Sequence, residues 1–435
     1  MEVNMLKSYN YFIIFICFFI NYNSEAATIN ATSCSQANVQ AAVNSANEGD
    51  TVIIPAGSCT WTTGIAINNK ALTLSGSGKG VTKLTDGTTT NDPMISIVSV
   101  EGKPVRIKDI TFQALHSPAA IKIRGTTKTW RVDHCEFLVT TGSYREIGVE
   151  ADTPTYGVID NCYFFNVGNH HVGDAGISTG DTLWQQPLSL GTANAMFIED
   201  CEFVVTLGNQ KNIMDSNNGS RYVFRHNTVH NGRIEAHSEC YNGKRGTFSV
   251  EAYDNTFTSD LASGLWNFTA FSLRGGTAVV YNNALYGKWT YKTIFIDNTR
   301  TCDSGVCTGQ WLNDTCDGTG PYDGNLPGGN GYPCRDQIGR STDTGRSGTQ
   351  SLEPMYEWNN TYYDSSNNPT NTNFQVNPSY TCANHALHIQ ANRDYYNDKS
   401  RPGYTPYQYP HPLRVPGSPP KAPSLFIITT PTTVP

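Results

Sequence analysis

A short phrase recurs along the middle of the chain: an apolar residue, a polar residue, a turn-type residue, Cys or Asn, any residue, and an apolar residue. The Cys or Asn positions of its six copies are Cys135, Cys162, Cys201, Asn227, Asn255 and Asn283, separated by 27, 39, 26, 28 and 28 residues. A repeat of roughly 20–50 residues is typical of a solenoid, in which each coil buries its inner face against its neighbours. Apolar and polar residues alternate within each copy, which indicates strands and therefore a β-helix.

Both ends of the chain differ from the repeats. Residues 1–26 resemble a signal peptide, because Lys7 precedes the apolar run Tyr11–Ile20 and small residues follow it. That run is too short to span a bilayer. We therefore expect a secreted protein, extracellular or periplasmic, without membrane insertion. Residues 27–400 form a single predicted β-helix domain, and residues 401–435 hold ten of the 22 prolines and form a predicted proline-rich tail. We expect Asn392–Arg414 to pack along the outside of the domain and the last twenty residues to be mobile.

The charge balance is mildly acidic, with 30 Lys and Arg against 37 Asp and Glu and a net charge of −7. Nucleic acid is an unsuitable partner because it favours a basic face. An anionic polysaccharide is compatible with this total, since local rows of charge matter more than the sum.

The cysteines fall into two groups. Cys135, Cys162 and Cys201 hold the inward repeat position, so we assign them to a buried stack of small side chains. Eight cysteines outside that stack and outside the signal segment predict up to four disulfides, of which Cys34–Cys59 is the best single choice. Five Asn-X-Ser/Thr triplets are potential glycosylation sites.

Other segments predict how the solenoid is closed and interrupted. Residues 35–47 place Val39, Ala42 and Val43 on one helical face, which predicts a short helix over the open end of the coils. The 39-residue step holds about 12 extra residues, which we place within 168–195, a segment that includes His170 and His171. A second, Cys- and Gly-rich insertion spans about 300–350.

Each coil also contains a second strand in which Ile or Val alternates with polar residues. Alternation directs the apolar residues inward, so the others face outward and stack about 4.8 Å apart. The resulting outer row consists of Lys122, Arg124, Glu150, Asp215, Arg233, Glu235, His237, Arg274 and Asp297. Both insertions leave the chain beside this strand, so we expect them to wall the row into a groove. The alternative is a solvated face on which opposite charges pair across coils.

The segment Gly49–Gly57, the repeated coils and their Asn positions resemble the right-handed parallel β-helix proteins of the pectate-lyase-like superfamily over roughly residues 30–415. The resemblance implies an all-β, right-handed parallel β-helix with a short N-terminal capping helix and long loop insertions. Members of this superfamily include polysaccharide lyases, glycoside hydrolases, phage tailspikes and adhesins, so the fold alone does not select an activity.

A uronate lyase must neutralise the substrate carboxylate, remove the proton at C5 and protonate the leaving oxygen. The outer row offers groups for each task, and we favour a polysaccharide lyase that acts on a uronic-acid-containing polysaccharide. We assign catalysis to His237, Arg274 and Arg233, substrate binding to Lys122, Arg124 and Trp184, and Ca²⁺ as a possible cofactor to Glu150, Asp215 and Glu235. A glycoside hydrolase that uses two of the carboxylates and a non-catalytic glycan-binding protein or adhesin are the alternatives.

Overall fold

The computed structural model describes residues 26–88, 92–115, 119–140, 146–173, 180–206, 211–238, 245–260, 269–287, 289, 293–297, 331–343, 350–363, 366, 368–371, 374–376 and 388–415. Nearly all of the predicted signal peptide, most of the 300–350 insertion and the last twenty residues lie outside the described residues. Within these ranges, no helix is long and apolar enough to cross a bilayer.

Three long sheets run side by side along the molecule, and each coil contributes one strand to each sheet in turn. Equivalent strands of successive coils pair in parallel, which confirms the right-handed parallel β-helix. One antiparallel pair, Thr361–Tyr363 with Pro369–Asn371, occurs late in the chain. The helix Gln36–Ser45 precedes the coils, Gly180–Trp184 is a short helix, and Pro412–Arg414 is a single 3₁₀ turn.

The strand bounds in the described part of the chain are as follows, each sheet in chain order. The first sheet contains Thr28–Asn30, Thr51–Ile53, Leu72–Ser75, Val105–Lys108, Trp130–Asp133, Gly157–Asp160, Met196–Glu199, Arg221–Arg225, Ser249–Tyr253, Thr277–Tyr281, Met355–Trp358 and Tyr395–Tyr396. The second contains Gly57–Trp61, Thr82–Asp86, Thr111–Gln113, Glu136–Leu138, Tyr163–Phe165, Glu202–Val204, Thr228–His230, Thr256–Ser259, Ala284–Gly287, Thr361–Tyr363 and Pro369–Asn371. The third contains Ile65–Asn68, Ile95–Ser99, Ile121–Gly125, Ile147–Thr153, Gly168–Gly173, Lys211–Ser216, Gly232–Ala236, Phe271–Leu273, Ile294–Ile296 and Phe374–Val376.

The repeated phrase forms the corner between the first and second sheets. Its turn residue adopts a left-handed backbone, with φ of 53° at Asn161 and 56° at Asp254, a conformation that Asn and Asp tolerate better than most residues. The next residue points inward, and Cys135, Cys162 and Cys201 are buried free thiols there, as predicted. The corner sequence therefore determines both the direction of the chain and the composition of the core.

A helix covers the N-terminal end of the solenoid, as the sequence predicts, and one further strand precedes it. Val39, Ala42 and Val43 are the buried face of the helix Gln36–Ser45. Cys34 and Cys59 form the predicted disulfide, which ties the segment before the helix to the first coil. The strand Thr28–Asn30, which the repeat pattern did not indicate, pairs with Thr51–Ile53 and extends the first sheet by one strand.

Residues 401–415 lie across the outer face of the first sheet. Arg225, which is fully buried, donates hydrogen bonds to the carbonyl oxygens of Tyr407 and Gln408 at 2.7 and 2.8 Å. It also pairs with the Glu199 carboxylate, 2.6 Å away, and donates to the Tyr253 hydroxyl at 2.9 Å. The tail is thus bound to the solenoid partly through its backbone carbonyls, and also through Arg414, which contacts the Glu199 and Asp160 carboxylates.

The same interface contains a carboxyl group that makes stability depend on pH. The buried Glu251 accepts hydrogen bonds from the Tyr404 hydroxyl and from the Gly191 backbone N–H. Burial raises the pKa of Glu251 from 4.5 to about 7, against the lowering effect of these hydrogen bonds. Because the folded-state pKa is raised, this contribution to stability is complete below pH 4.5 and is lost as the pH rises through about 7. We expect Glu251→Gln to flatten the fall in melting temperature between about pH 5 and pH 8; an unchanged pH profile would contradict this assignment.

Candidate active site

An alternating line of basic and acidic side chains crosses the outer face of the third sheet. Strand pairing places Lys122 beside Glu150, Glu150 beside His170, and His170 beside Asp215. The members of the predicted row on these strands therefore share one face, and opposite charges stand next to one another.

The position of Asp215 depends on an irregularity in its strand. The register shifts between Asn212 and Met214, so that Ile213 and Met214 both point into the core. Because the register shift occurs before Asp215, the Asp215 side chain remains on the outer face of the sheet. Met214 pairs with Ile234, which brings Asp215 beside Glu235 on the next strand.

His170 belongs to this line, although the sequence led us to place it in an insertion. The placement of extra residues within 168–195 is wrong at its start, because Gly168–Gly173 is a regular strand of the third sheet. The extra residues lie after this strand and before Met196. A usable signal was present: His170 follows Cys162 by eight residues, just as Glu235 follows Asn227 by eight.

The first part of the line is built around Glu150. The Lys122 ammonium lies 2.5 Å from one carboxylate oxygen of Glu150, and Nδ1 of His170 lies 3.8 Å from the other. Burial alone would raise the pKa of Glu150, but His170 and Lys122 outweigh burial and lower the pKa to about 2. Glu150 is therefore ionised across the whole range in which proteins are stable.

The middle of the line is a histidine–carboxylate pair. Nε2 of His237 lies 2.8 Å from Oδ1 of Asp215, and the Asn212 amide donates to Oδ2 of Asp215 at 3.2 Å. Burial of Asp215 opposes ionisation, but the neighbouring His237, His170 and Asn212 hold the pKa of Asp215 far below its usual value. A carboxylate held in this way fixes the orientation of the imidazole, and with the ring proton on Nε2 it leaves Nδ1 as the basic nitrogen.

Two arginines meet at Glu235 at the far end of the line. Nη2 of Arg233 lies 2.5 Å from Oε2 of Glu235, and Arg274 contacts Oε1. The Glu235 side chain is 1% exposed, whereas those of Arg233 and Arg274 are 22% and 12% exposed. The buried carboxylate thus supports two guanidinium groups that are themselves partly accessible. His237 is close to the same carboxylate, with Nε2 3.7 Å from Oε1.

Two predicted substrate-binding residues lie away from this centre. Arg124 is on the same strand as Lys122 and is 40% exposed, with Nε 3.2 Å from Asp152. Trp184 does not face the row: its side chain is fully buried, and Nε1 donates to the Gly246 carbonyl at 3.0 Å. Its ring lies against the Arg245 guanidinium and Phe248. No ring face is left for a sugar, so we leave Trp184 out of the site.

The donor set does not fit Ca²⁺ in this arrangement. Glu150, Asp215 and Glu235 each contact a basic side chain, and three of the contacting groups, Lys122, Arg233 and Arg274, are permanent cations. Calcium requires several carboxylate or carbonyl oxygens that are free to coordinate it. Among the described residues, no cluster of three or more His, Cys, Asp or Glu side chains has a metal-binding arrangement.

The length of the line of charges indicates the shape of ligand that it could bind. From Lys122 to Ser272, which precedes Arg274 by two residues, the row crosses six strands, a span of roughly 24 Å at about 4.8 Å per step. An elongated surface on which basic and acidic side chains alternate suits a linear polymer with polar groups along its length. The arrangement can bind acidic groups, hold a carboxylate against two guanidinium groups, and hold the His237 imidazole, 7% exposed and with both ring nitrogens buried, against Asp215.

Comparisons with known proteins return solved structures at low sequence identity. An alginate lyase from Paenibacillus sp. strain FPU-7 is 12% identical, with 62% of this chain and 90% of that chain covered and a TM-score of 0.43. The catalytic domain of a GH87 alpha-1,3-glucanase is 11% identical, with coverage of 81% and 67% and a TM-score of 0.31. A pectin methylesterase in complex with a hexasaccharide is 11% identical, with coverage of 84% and 96% and a TM-score of 0.27. No protein-family model and no curated protein matches the sequence. These likenesses are too distant to assign an activity or a residue role to this chain.

Proposed function

We propose that the protein is a polysaccharide lyase that cleaves a uronic-acid-containing polysaccharide by β-elimination on the outer face of the third sheet. The observation that carries this proposal is the pairing of an oriented histidine with two partly accessible arginines. His237 is 2.8 Å from the Asp215 carboxylate, and Arg233 and Arg274 meet at the neighbouring Glu235. These groups match the requirements of an elimination beside a carboxylate.

The proposed reaction divides its steps among these side chains. Arg233 and Arg274 bind the uronate carboxylate, which acidifies the adjacent C5–H bond. His237 takes the C5 proton while Asp215 holds the ring, and the electron pair of that bond forms the C4–C5 double bond. This step requires substrate binding to uncover Nδ1 of His237, which is buried in the free protein. The C4–O bond breaks, and the leaving oxygen receives a proton from His170, which is 27% exposed on the other side of Asp215. Lys122 and Arg124 bind acidic groups on neighbouring sugars.

The electrostatics of the carboxylates argue against a glycoside hydrolase. Such an enzyme needs a carboxyl group that remains protonated near neutral pH so that it can act as a general acid. The pKa values of Glu150 and Asp215 are instead both lowered by basic neighbours. These two groups serve better as orienting and charge-balancing residues than as acid catalysts.

Calcium is not needed for the proposed steps, because guanidinium groups neutralise the substrate carboxylate. We expect turnover of a uronate polysaccharide, followed by the ultraviolet absorbance of the unsaturated product, to be the same in added Ca²⁺ and in excess chelator. Substrates whose own gel structure depends on Ca²⁺ are avoided by the use of short oligosaccharides. Loss of activity in chelator, restored by Ca²⁺, would overturn this assignment of the carboxylates.

We further propose that the protein acts outside the cell or in the periplasm. The signal-like segment 1–26 supports export. The Cys34–Cys59 disulfide supports it independently, since disulfides persist in oxidising compartments. A polysaccharide substrate would also be found outside the cell.

A further inference from the structure

Among the described residues, a buried arginine outside the charged line has no acidic partner. Arg221 is the first residue of the strand Arg221–Arg225 in the first sheet, and it is 4% exposed. Among the residues that the structure describes, no carboxylate acts on its charge, and burial lowers its pKa with only Tyr156 opposing. Moving a charge from water into a protein interior costs several kcal/mol unless it is paired. Arg221 therefore differs from Arg225 and Arg245, which are paired with carboxylates.

The contacts that the Arg221 side chain makes with described residues are with neutral groups. Its Nη1 donates to the Pro187 carbonyl and to the Ser189 hydroxyl at 3.1 and 3.0 Å, and Nη2 donates to the Leu183 carbonyl at 3.1 Å. One face of the guanidinium lies 4.0 Å from the centre of the Phe248 ring. The Nε atom is buried without a hydrogen-bond partner. These contacts hold the guanidinium in place but leave its charge uncompensated.

Arg221 lines a cavity at the corner between the third and first sheets. The cavity has a volume of about 450 Å³ and is bounded by Lys128, Tyr156, Ser189, Thr192 and Asn194 as well as Arg221. Small-molecule sites have volumes of roughly 300–1,000 Å³. Lys128, an exposed residue, adds a second positive charge, and the hydroxyl and amide side chains add neutral hydrogen-bonding groups. The described lining residues thus include two cations and neutral hydrogen-bonding groups but no acidic residue, a combination that suits an anion.

We infer that this cavity binds a small oxyanion, the carboxylate of a sugar acid or a sulfate group, with Arg221 as its buried counter-charge and Lys128 at its entrance. The site is separate from the line of charges on the third sheet. It lies beyond the end of the strand Ile147–Thr153, which carries Glu150. This inference does not depend on the proposed lyase activity, because it concerns binding alone.

The test measures binding through the melting temperature, which rises with any ligand that binds only the folded state. The purified protein is titrated at constant ionic strength with glucuronate, with sulfate, and with glucose as the neutral control. We expect glucuronate or sulfate, but not glucose, to raise the melting temperature. A response to glucuronate alone assigns the site to a sugar carboxylate, and a response to sulfate alone assigns it to a free or sugar-linked sulfate. No response to either anion would overturn the inference.

Variants of the cavity residues show whether the rise in melting temperature comes from binding in the cavity. Arg221→Met is expected to weaken the apparent Kd about 10- to 100-fold, as expected for the loss of a charge-assisted hydrogen bond. Lys128→Gln, a surface change that leaves the fold intact, is expected to weaken it about two- to fivefold. Lys83→Gln, on the strand Thr82–Asp86 of the second sheet, is the matched control and should keep the wild-type response. Arg233→Ala and Arg274→Ala measure any part of the glucuronate response that comes from the proposed active site. If both cavity variants respond like the wild type, or if the response disappears with Arg233 and Arg274 instead, the cavity is not the binding site.

Discussion

Replacing His237 with glutamine is expected to lower turnover about 100- to 10,000-fold, the range that general-base catalysis contributes. The glutamine amide can still donate a hydrogen bond to Asp215, which His237 contacts at 2.8 Å, so the buried carboxylate keeps a partner. The amide has no basic nitrogen and cannot take the C5 proton. We therefore expect the loss to appear in kcat, measured by product absorbance, with a melting temperature close to that of the wild type.

A second histidine provides the matched control for this experiment. His134 lies at a corner between the first and second sheets, with its side chain 48% exposed and its backbone left-handed at φ 52°. Asparagine suits that backbone, so His134→Asn should leave both turnover and stability unchanged. Full turnover in His237→Gln, or an equal loss in both variants, would remove His237 from the proposed mechanism.

Replacing Asn255 with leucine is expected to destabilise the fold by about 3–5 kcal/mol without altering turnover per folded molecule. Oδ1 of Asn255 accepts a hydrogen bond from the Asn227 backbone N–H at 2.9 Å, and Nδ2 donates to the Phe224 carbonyl and to Oδ1 of Asn283, each at 2.9 Å. Leucine matches the volume but leaves these buried groups without their partners. The cost is large because it falls on several members of one hydrogen-bonded ladder.

Denaturant unfolding measures this cost, and Asp254→Asn is the control. Asp254 is the preceding residue, exposed and left-handed at φ 56°, and asparagine occupies the same position at Asn161 and Asn282. We expect the control to unfold like the wild type. A leucine variant that keeps its full stability, or loses activity without losing stability, would contradict a purely structural role for the ladder.

The fold was predictable because it repeats. An inward position filled by Cys201, Asn227 and Asn255 in successive coils is visible in the sequence, and the structure joins these residues in one ladder. The strand Thr28–Asn30 was not predictable in the same way, since it has no counterpart in the repeat. It is held by pairing with Thr51–Ile53, a contact between segments that only the folded chain brings together.

The site was predictable where alternation is regular and not where an insertion interrupts it. Lys122 and Glu150 follow the period of two and lie side by side. His170 was missed because the length of the whole coil does not locate the insertion; only its distance of eight residues from Cys162 indicates that its strand precedes the extra residues. Trp184 shows the opposite error: an aromatic residue near a groove suggested sugar stacking, but packing against Arg245 buries it.

Cleavage of a uronate polysaccharide in heavy-oxygen water tests the central claim most directly, because elimination and hydrolysis differ in whether water enters the product. Mass spectrometry of the oligosaccharides is expected to show unsaturated products that carry no oxygen from the solvent at the cleaved bond, and to show them only when His237 is present. Saturated products that contain one solvent oxygen per cleavage would establish a hydrolase. Uncleaved polymer that still binds the protein would establish a binding protein, and either result would contradict the proposed lyase.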